Sequence, residues 1–409
     1  MSDLELRPFT ASFFPAALRF LDRVFGAPFG SLETEAPLFE PDRSLGAYLG
    51  SDLVGTTWIQ SLRLEVPGGS RAVAGVTGVG VSPVHRRRGV LRALMDRQLA
   101  DIHERGEEAL AALWASEPTI YGRFGYGLAA PIAGIRGERA HLRFLVPVDD
   151  QVRLRLIEEA GADPTVAARL TPVHAAAARP GSVVRDDRRW GVALSDPPSE
   201  RKGASPLATV VAEALDGAAE GYVLYSLEPR RGATGPDGVV RIREFVASTT
   251  RARVALWRHV ASLDLTATFE WSGLAADDPL FHLVNDPRRL AFTLTDGLFV
   301  RVIDVARAVA ERAYRGSAST TVELVDDACP WNAGRWRFDV GPDGASCTRT
   351  SDAADLTLSA RELGAAYLGG PTLRTLALAG RVDEHTIGAV DTLSDAFAGA
   401  LAPACFEVF

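Results

Sequence analysis

The chain has 409 residues, 47% hydrophobic and 23% charged, which excludes a mostly disordered chain, a collagen or a coiled-coil rod. At about 100–200 residues per domain it predicts two to four domains with ample material for real cores. The net charge of -8 argues against generic nucleic-acid binding, because phosphates need a basic surface. No apolar run reaches the ~20 residues of a membrane span, and the acidic start Met1-Ser2-Asp3-Leu4-Glu5 predicts no secretory leader. Cys329, Cys347 and Cys405 are too few and too scattered for a disulfide framework or a zinc site, which fits a reducing cytoplasm. The seven histidines show no metal spacing, so no metal is expected. Lys202 is the only lysine, so 43 of the 44 basic residues are arginine, a bias that a GC-rich genome explains more simply than avoidance of self-modification.

In chain order, residues 1–145 alternate strands and helices. Thr10 to Phe25 reads as a helix, Gly46–Gly50 and Leu53–Arg63 as a hairpin, and the valine-rich Arg71–Val81 as a strand. Gly89–Arg105 is a helix, with Leu91, Leu94, Met95, Leu99 and Ile102 on one face and Gly106 as its stop. Glu108–Ser116 is the next strand. A second block, 146–289, holds an exposed loop at Ser195–Pro206, strands at Gly221–Leu227 and Val239–Ala247, a helix at Thr250–Leu263 and a strand at Thr266–Trp271. Its strand–helix–strand order echoes residues 71–116 and suggests a diverged duplication. The third block, 290–409, opens with a strand at Leu298–Ile303. Ser359 and Glu362 are spaced as a capping box for a helix over Glu362–Leu368, which Gly369-Gly370-Pro371 ends. Asp391–Leu401 reads as a last helix, before an apolar tail, Pro403–Phe409. The fold class expected is α/β with mixed sheets.

The strongest chemical signal is Val79-Gly-Val-Ser-Pro-Val-His-Arg-Arg-Arg-Gly-Val-Leu-Arg92, a strand running through a basic, glycine-containing turn into a helix. Backbone N–H groups at a helix start point at an anion and the helix dipole favours it. Arg86, Arg87 and Arg88 add charge, and Gly89 permits close approach. A pyrophosphate site follows, with Val90, Leu91 and Arg92 at its helical end. It is neither a Walker loop nor a dinucleotide fingerprint, since G-K-[ST] and G-x-G-x-x-G are both absent. Gly80 inside the strand calls for an explanation, and close approach of another chain is one.

These residues resemble the GNAT acetyltransferases, whose acetyl-CoA motif is [RQ]-x-x-G-x-[GA]. Arg86 and Gly89 match, while Leu91 replaces the small residue. The resemblance implies that backbone groups of Val79, Gly80 and Val81 pair with the pantetheine arm. A second match, Ala115-Ser-Glu-Pro-Thr-Ile-Tyr-Gly-Arg-Phe-Gly-Tyr-Gly127, resembles the pattern Y-x-[KR]-x-G-[FY] and puts Tyr121 at the position of a tyrosine that gives a proton to the leaving thiolate. Ser116 and Glu117 join the cofactor-binding candidates. Tyr126 reads better as a core tyrosine with a satisfied hydroxyl.

Taken together, the two motifs resemble the Eis (enhanced intracellular survival) group, and Ala354–Ser359 with Ala366–Pro371 resemble its sterol-carrier-like C-terminal domain. The resemblance implies tandem GNAT-like domains, 1–145 and a degenerate 146–289, followed by a sterol-carrier-like domain, 290–409. It also implies a cytoplasmic homohexamer, acetyl-CoA as cosubstrate, acetylation of amines of aminoglycoside-like polyamines, and the C-terminal carboxylate of Phe409 as general base. Strand Arg71–Val81 carries no Asp or Glu that could serve instead. A cationic acceptor would prefer acidic contacts, for which Asp22, Glu33, Glu35 and Glu407 are candidates beside the alternative of a solvated acidic surface. The turn Ser248–Arg253 has no glycine, consistent with a lost pyrophosphate site in the second domain. The rival acceptor is a protein lysine or another amine; the rival from another class is a lipid or sterol carrier. Neither nucleic acid nor membrane is an expected partner.

Overall fold

A computed structural model describes residues 4–147, 149–161, 163–233 and 235–409. Met1, Ser2 and Asp3, on which part of the argument about a leader rests, lie outside the described residues. By contacts the chain divides into two units: residues up to Pro131 with Arg179–Val184 and Asp296–Phe409, and Ile132–Ala178 with Arg185–Thr295. Likeness to known domains and packing are thus different divisions of the chain.

The first unit begins with strand β1 (Leu4–Arg7) and helix α1 (Phe14–Phe25). The helix expected from Thr10 starts instead as a 3-10 turn, Ala11–Phe13. Gly26, at φ 69°, closes α1 by donating its N–H to Asp22 O. Strands β2 (Ser44–Leu49) and β3 (Asp52–Val66) make the hairpin, longer than expected, and β3 pairs antiparallel with β4 (Gly69–Val81). Helix α3 (Val90–Arg105) crosses over to β5 (Leu110–Trp114), parallel to β4. On α3, Leu94, Met95, Leu99 and Ile102 are buried as the periodicity predicts. Residues Leu298–Val302 add to the far side of β5, antiparallel.

The rest of this unit is a five-stranded sheet, in the order Gly344–Arg349, Gly334–Gly341, Ala318–Val325, Leu356–Ser359, Val382–Glu384. One hydrophobic cluster joins its Phe338, Leu356, Tyr367 and Phe397 to Leu62, Leu64 and Leu110 of the first sheet. The helix after Ser359 runs Ala360–Ala366 and the last helix Ala389–Phe397, both displaced from their expected bounds. The expected capping box at Ser359 is a different device: Ser359 accepts from the Arg361 N–H, and Glu362 bonds the Ser359 hydroxyl and Arg381. A true capping box forms at Ser31 and Thr34, opening the short helix α2 (Leu32–Glu35).

In the second unit the strand order is Ala133–Glu138, Thr266–Leu274, Gly238–Ala247, Ala219–Glu228, Ala208–Ala214, Val152–Ile157. Among the described residues Gly238–Ala247 and Thr266–Leu274 are the one parallel pair of this series, and the helix Thr250–Ser262 joins them. Each unit therefore contains the same strand–helix–parallel strand step.

Arg301 is fully buried in the first unit. Its Nη2 donates to both oxygens of Asp326, at 2.7 and 2.8 Å. Asp326 also accepts from the Cys329 N–H and from Asn332 Nδ2. Asp326→Ala would leave the guanidinium charged and unpaired, which costs about 3–5 kcal/mol for a buried pair broken on one side. We expect a correspondingly lower urea midpoint for this unit's unfolding transition.

Candidate functional site

The site grows from the parallel pair β4 and β5. Their ladder runs from Val73↔Leu110 to Gly75↔Ala112. Beyond it β4 bulges: Thr56 pairs with Gly80, but Trp58 pairs with Thr77. Gly78 takes φ 59°, and a Cβ there would lie 2.1 Å from the Trp58 ring, so this position admits only glycine. The bulge leaves the C-terminal end of β4 turned away from β5, and a cleft of about 740 Å³ opens between them.

Val79, Gly80 and Val81 form one wall of this cleft, Ser116 and Glu117 the other. Its closed end is the turn from Ser82 to α3, where Gly89 sits at φ 78° and Arg87 at φ 61°. Gly89 and the first helical residues Val90, Leu91 and Arg92 line the cleft, with Arg86 and Arg87 beside them. The 16-residue helix thus aims its unpaired N–H groups and its dipole at a space bordered by Arg86, Arg87, Arg92 and Arg123. That donor set fits a pyrophosphate, and the open strand edge fits an amide-bearing arm. Arg88 is exposed and does not line the cleft.

Gly80 needs a different explanation from the one its position in a strand suggested. A Cβ there would meet Leu21 Cδ2 at 2.7 Å, so close packing of α1 is what requires glycine.

Tyr121 ends the short helix α4 (Pro118–Tyr121) and lines both this cleft and a second one of about 440 Å³. Burial, then the charge of Glu117, pushes the phenol up to about 12, against a hydrogen bond with Ser116. It is a proton donor that stays loaded at neutral pH. Tyr126 is fully buried and lines neither cleft; contrary to expectation its hydroxyl has no hydrogen-bond partner among the described residues.

The second cleft brings the chain's end to the same tyrosine. Val408 and Phe409 line it, opposite Phe25, Phe29 and Trp114. The tail is fixed from several sides. Trp114 Nε1 donates to Glu407 O at 3.0 Å, the Ala404 N–H to Pro180 O at 2.9 Å, and Arg179 Nη1 to Ala402 O at 2.9 Å. Residues 179–184 are themselves laid along β3, through the Gly181 N–H to Glu65 O and the Val184 N–H to Arg63 O. No local pattern in the sequence marks this strap.

Of the four acidic candidates, Glu35 alone lines the second cleft. Asp22 accepts from the Phe29 N–H at 2.8 Å and holds the loop after α1. Glu33 is exposed on α2, and Glu407 serves the site through its backbone carbonyl. The aromatic walls Phe25, Phe29 and Trp114 were missed; two phenylalanines four residues apart, flanking Gly26 and Pro28, were the available signal. Among the described residues no group of three His, Cys, Asp or Glu side chains is placed to hold a metal ion, and no helix is long and apolar enough to cross a membrane.

In the second unit the equivalent turn is filled from within. Glu220 accepts from Arg251 Nε at 2.7 Å and from the Thr249 hydroxyl at 3.0 Å, at the start of the helix Thr250–Ser262.

Comparison with known proteins agrees with this architecture. Residues 5–129 and 181–302 match acetyltransferase (GNAT) domains and residues 305–406 match a sterol carrier protein domain. An uncharacterized N-acetyltransferase of Streptomyces avermitilis is 43% identical over 371 residues, covering 90% of this chain and 89% of its own. The N-acetyltransferase Eis of Mycobacterium tuberculosis is 33% identical over 374 residues, covering 86% and 85%. The crystal structure of Eis1 from Mycobacterium abscessus superposes with a TM-score of 0.82 at 33% identity, over 99% of this chain and all of that one. Two GNAT domains, a sterol-carrier-like domain and these relatives make the chain a member of the Eis-like GNAT N-acetyltransferases.

Proposed function

We propose that this acetyltransferase moves the acetyl group of acetyl-CoA directly to a primary amine of a small molecule, with Tyr121 as general acid and the Phe409 carboxylate as general base. The observation that carries the reading is the position of Tyr121, which lines both the cleft with the helix start and the cleft with the chain terminus. The first cleft suits the cosubstrate: α3 and Arg86 and Arg87 receive the pyrophosphate, and Val79–Val81 the pantetheine arm. The second admits the amine.

The nitrogen lone pair attacks the thioester carbonyl carbon, and a C–N bond forms as the carbonyl electrons move to oxygen. The nitrogen's proton passes to the Phe409 carboxylate. Collapse breaks the C–S bond, and Tyr121 Oη protonates the departing sulfur. An α-carboxyl ordinarily titrates near 3.3–3.7, so enclosure beside apolar walls must raise it for the role. The resemblance adds aminoglycoside-like amines as the acceptor class and a cytoplasmic homohexamer as the assembly. Mass spectrometry of an amine panel incubated with acetyl-CoA tests the acceptor, through acetyl increments per molecule. The carrier alternative lacks support in the C-terminal domain, whose interior is filled by Phe338, Tyr367, Leu368 and Phe397.

Gly89→Asp puts a side chain on a left-handed residue and a carboxylate where phosphates sit. We expect acetyl-CoA affinity to fall about tenfold or more by calorimetry, with the fold retained by circular dichroism. Unchanged binding would overturn the assignment.

Tyr121→Phe removes only the proton donor, so acetyl-CoA should bind nearly normally while kcat falls ~10²-fold, and Tyr126→Phe should not reproduce this. The sign of the pH dependence follows from the phenol's raised value: protonated below about 12, it imposes no alkaline limb on kcat between about pH 9 and 11, whereas an unperturbed phenol would lose about half of kcat by pH ~10.

A chain extended by a few residues past Phe409 moves the carboxylate out of the cleft. Turnover should be abolished with folding and acetyl-CoA binding intact, and an N-terminal tag should be harmless. Full activity in an extended enzyme, shown uncleaved by mass, would remove Phe409 from the mechanism.

A further inference from the structure

We infer that the preferred acceptor is a primary amine carrying one positive charge on an aromatic or branched apolar body, read by Phe25, Phe29 and Trp114 and anchored by Glu35, and not a polycation. The inference rests on the reading that this site acetylates an amine, and it departs from the polyamine class that the resemblance implies.

The acceptor cleft is built mainly of apolar surface. Phe25 and Phe29 stack with centroids 5.7 Å apart, and Phe29 is held edge-on by Trp58 at 5.8 Å. Trp114 is fixed in place by its indole bond to Glu407 O. Phe25 is 39% exposed and Val408 71% exposed, so apolar surface continues to the mouth. Apolar side chains left open to water beside a cleft are surface that a ligand covers.

Charge is scarce by comparison. Among the described residues Glu35 is the one acidic side chain lining this cleft, and the terminal carboxylate of Phe409 adds one more group, which the reaction occupies. Asp22 is committed to the Phe29 N–H and Glu33 lies outside. A ligand with four or five ammonium groups would strip water from several charges against phenylalanine and indole, with two carboxylates to answer them. A singly charged amine loses one hydration shell, gains an acidic partner and ring faces, and buries its body.

Glu35 is also placed by a backbone device. A Cβ on Gly30 would lie 2.6 Å from Glu35 Oε1, so Gly30→Ala must shift the carboxylate while leaving its charge.

The test compares 2-phenylethylamine with the aminoglycoside kanamycin at equal acetyl-CoA, reading kcat/KM at low and high sodium chloride. We expect the arylalkylamine to be preferred by about tenfold or more, with weak salt dependence. Glu35→Gln and Gly30→Ala should each raise KM for 2-phenylethylamine severalfold, with acetyl-CoA affinity unchanged. Val408→Glu, which adds a carboxylate at the mouth of the cleft, should raise kcat/KM for kanamycin relative to that for the arylalkylamine. Preference for kanamycin with a steep loss in salt would overturn the inference and leave the amine reading intact. Acetyl-CoA binding with turnover of no amine would overturn both.

Discussion

Two parallel strands, β4 and β5, that hydrogen-bond for three residues and then part are the constraint on which the site depends. A parallel pair that stayed in register would have no room for a ligand between its strands. The parting is enforced locally. Gly78 can take φ 59° and lie flat against the Trp58 ring, where any Cβ would collide. Trp58 is itself packed among Phe9, Phe14, Phe29 and Phe39, so it cannot yield. The aromatic cluster under α1 and the opening of the sheet are thus one mechanical fact. The same cluster orients Phe29, which walls the second cleft, so the two clefts share a support.

The second constraint is topological. A carboxylate placed by the end of a chain has one tether instead of two, and it is held only if the preceding residues are ordered. Here the tail from Ala402 to Glu407 is bonded by Arg179, Pro180 and Trp114. Residues 179–184 cluster with the first unit, and they lie along β3. A short strap from mid-chain and the last residues therefore depend on each other, and Val408 and Phe409 line the same cleft as Tyr121.

What could be read in the sequence was what is local. The strand–turn–helix at 79–92 carries its chemistry in consecutive residues, and the periodicity on α3 places Leu94, Met95, Leu99 and Ile102 inward, as they are. Arg88 sits in the same run but points to solvent, because a turn gives neighbouring side chains opposite directions and no periodicity says which. Gly80 was legible as a close approach, yet the close contact is with Leu21, far away in sequence and set by how α1 packs on the sheet. The acidic residues illustrate the same limit. Asp22, Glu33, Glu35 and Glu407 look alike in a sequence, and only the path of the chain commits one to a loop N–H, one to solvent, one to the cleft and one to its backbone carbonyl. The Ser359–Glu362 spacing failed for a related reason: the glutamate found a stronger partner in Arg381, and a charge-assisted contact outcompetes a neutral cap.

The two strand–helix–strand steps differ in what stands at the helix start. Both present a helix N-terminus after a strand, so both offer unpaired N–H groups and a favourable dipole. In the first, Gly89 lets the backbone enter the turn with no side chain, and Arg86 and Arg87 leave a positive vacancy. In the second, the chain supplies its own anion. The Arg251 guanidinium, with Thr249 assisting, holds the Glu220 carboxyl below the usual carboxylate range, so it stays charged. An incoming phosphate would meet a like charge and would have to break the ion pair before gaining any contact. A single carboxylate on the neighbouring strand holds the Thr249 hydroxyl, which itself caps the helix through the Ala252 N–H, and the Arg251 guanidinium, so the turn is closed by the chain's own groups.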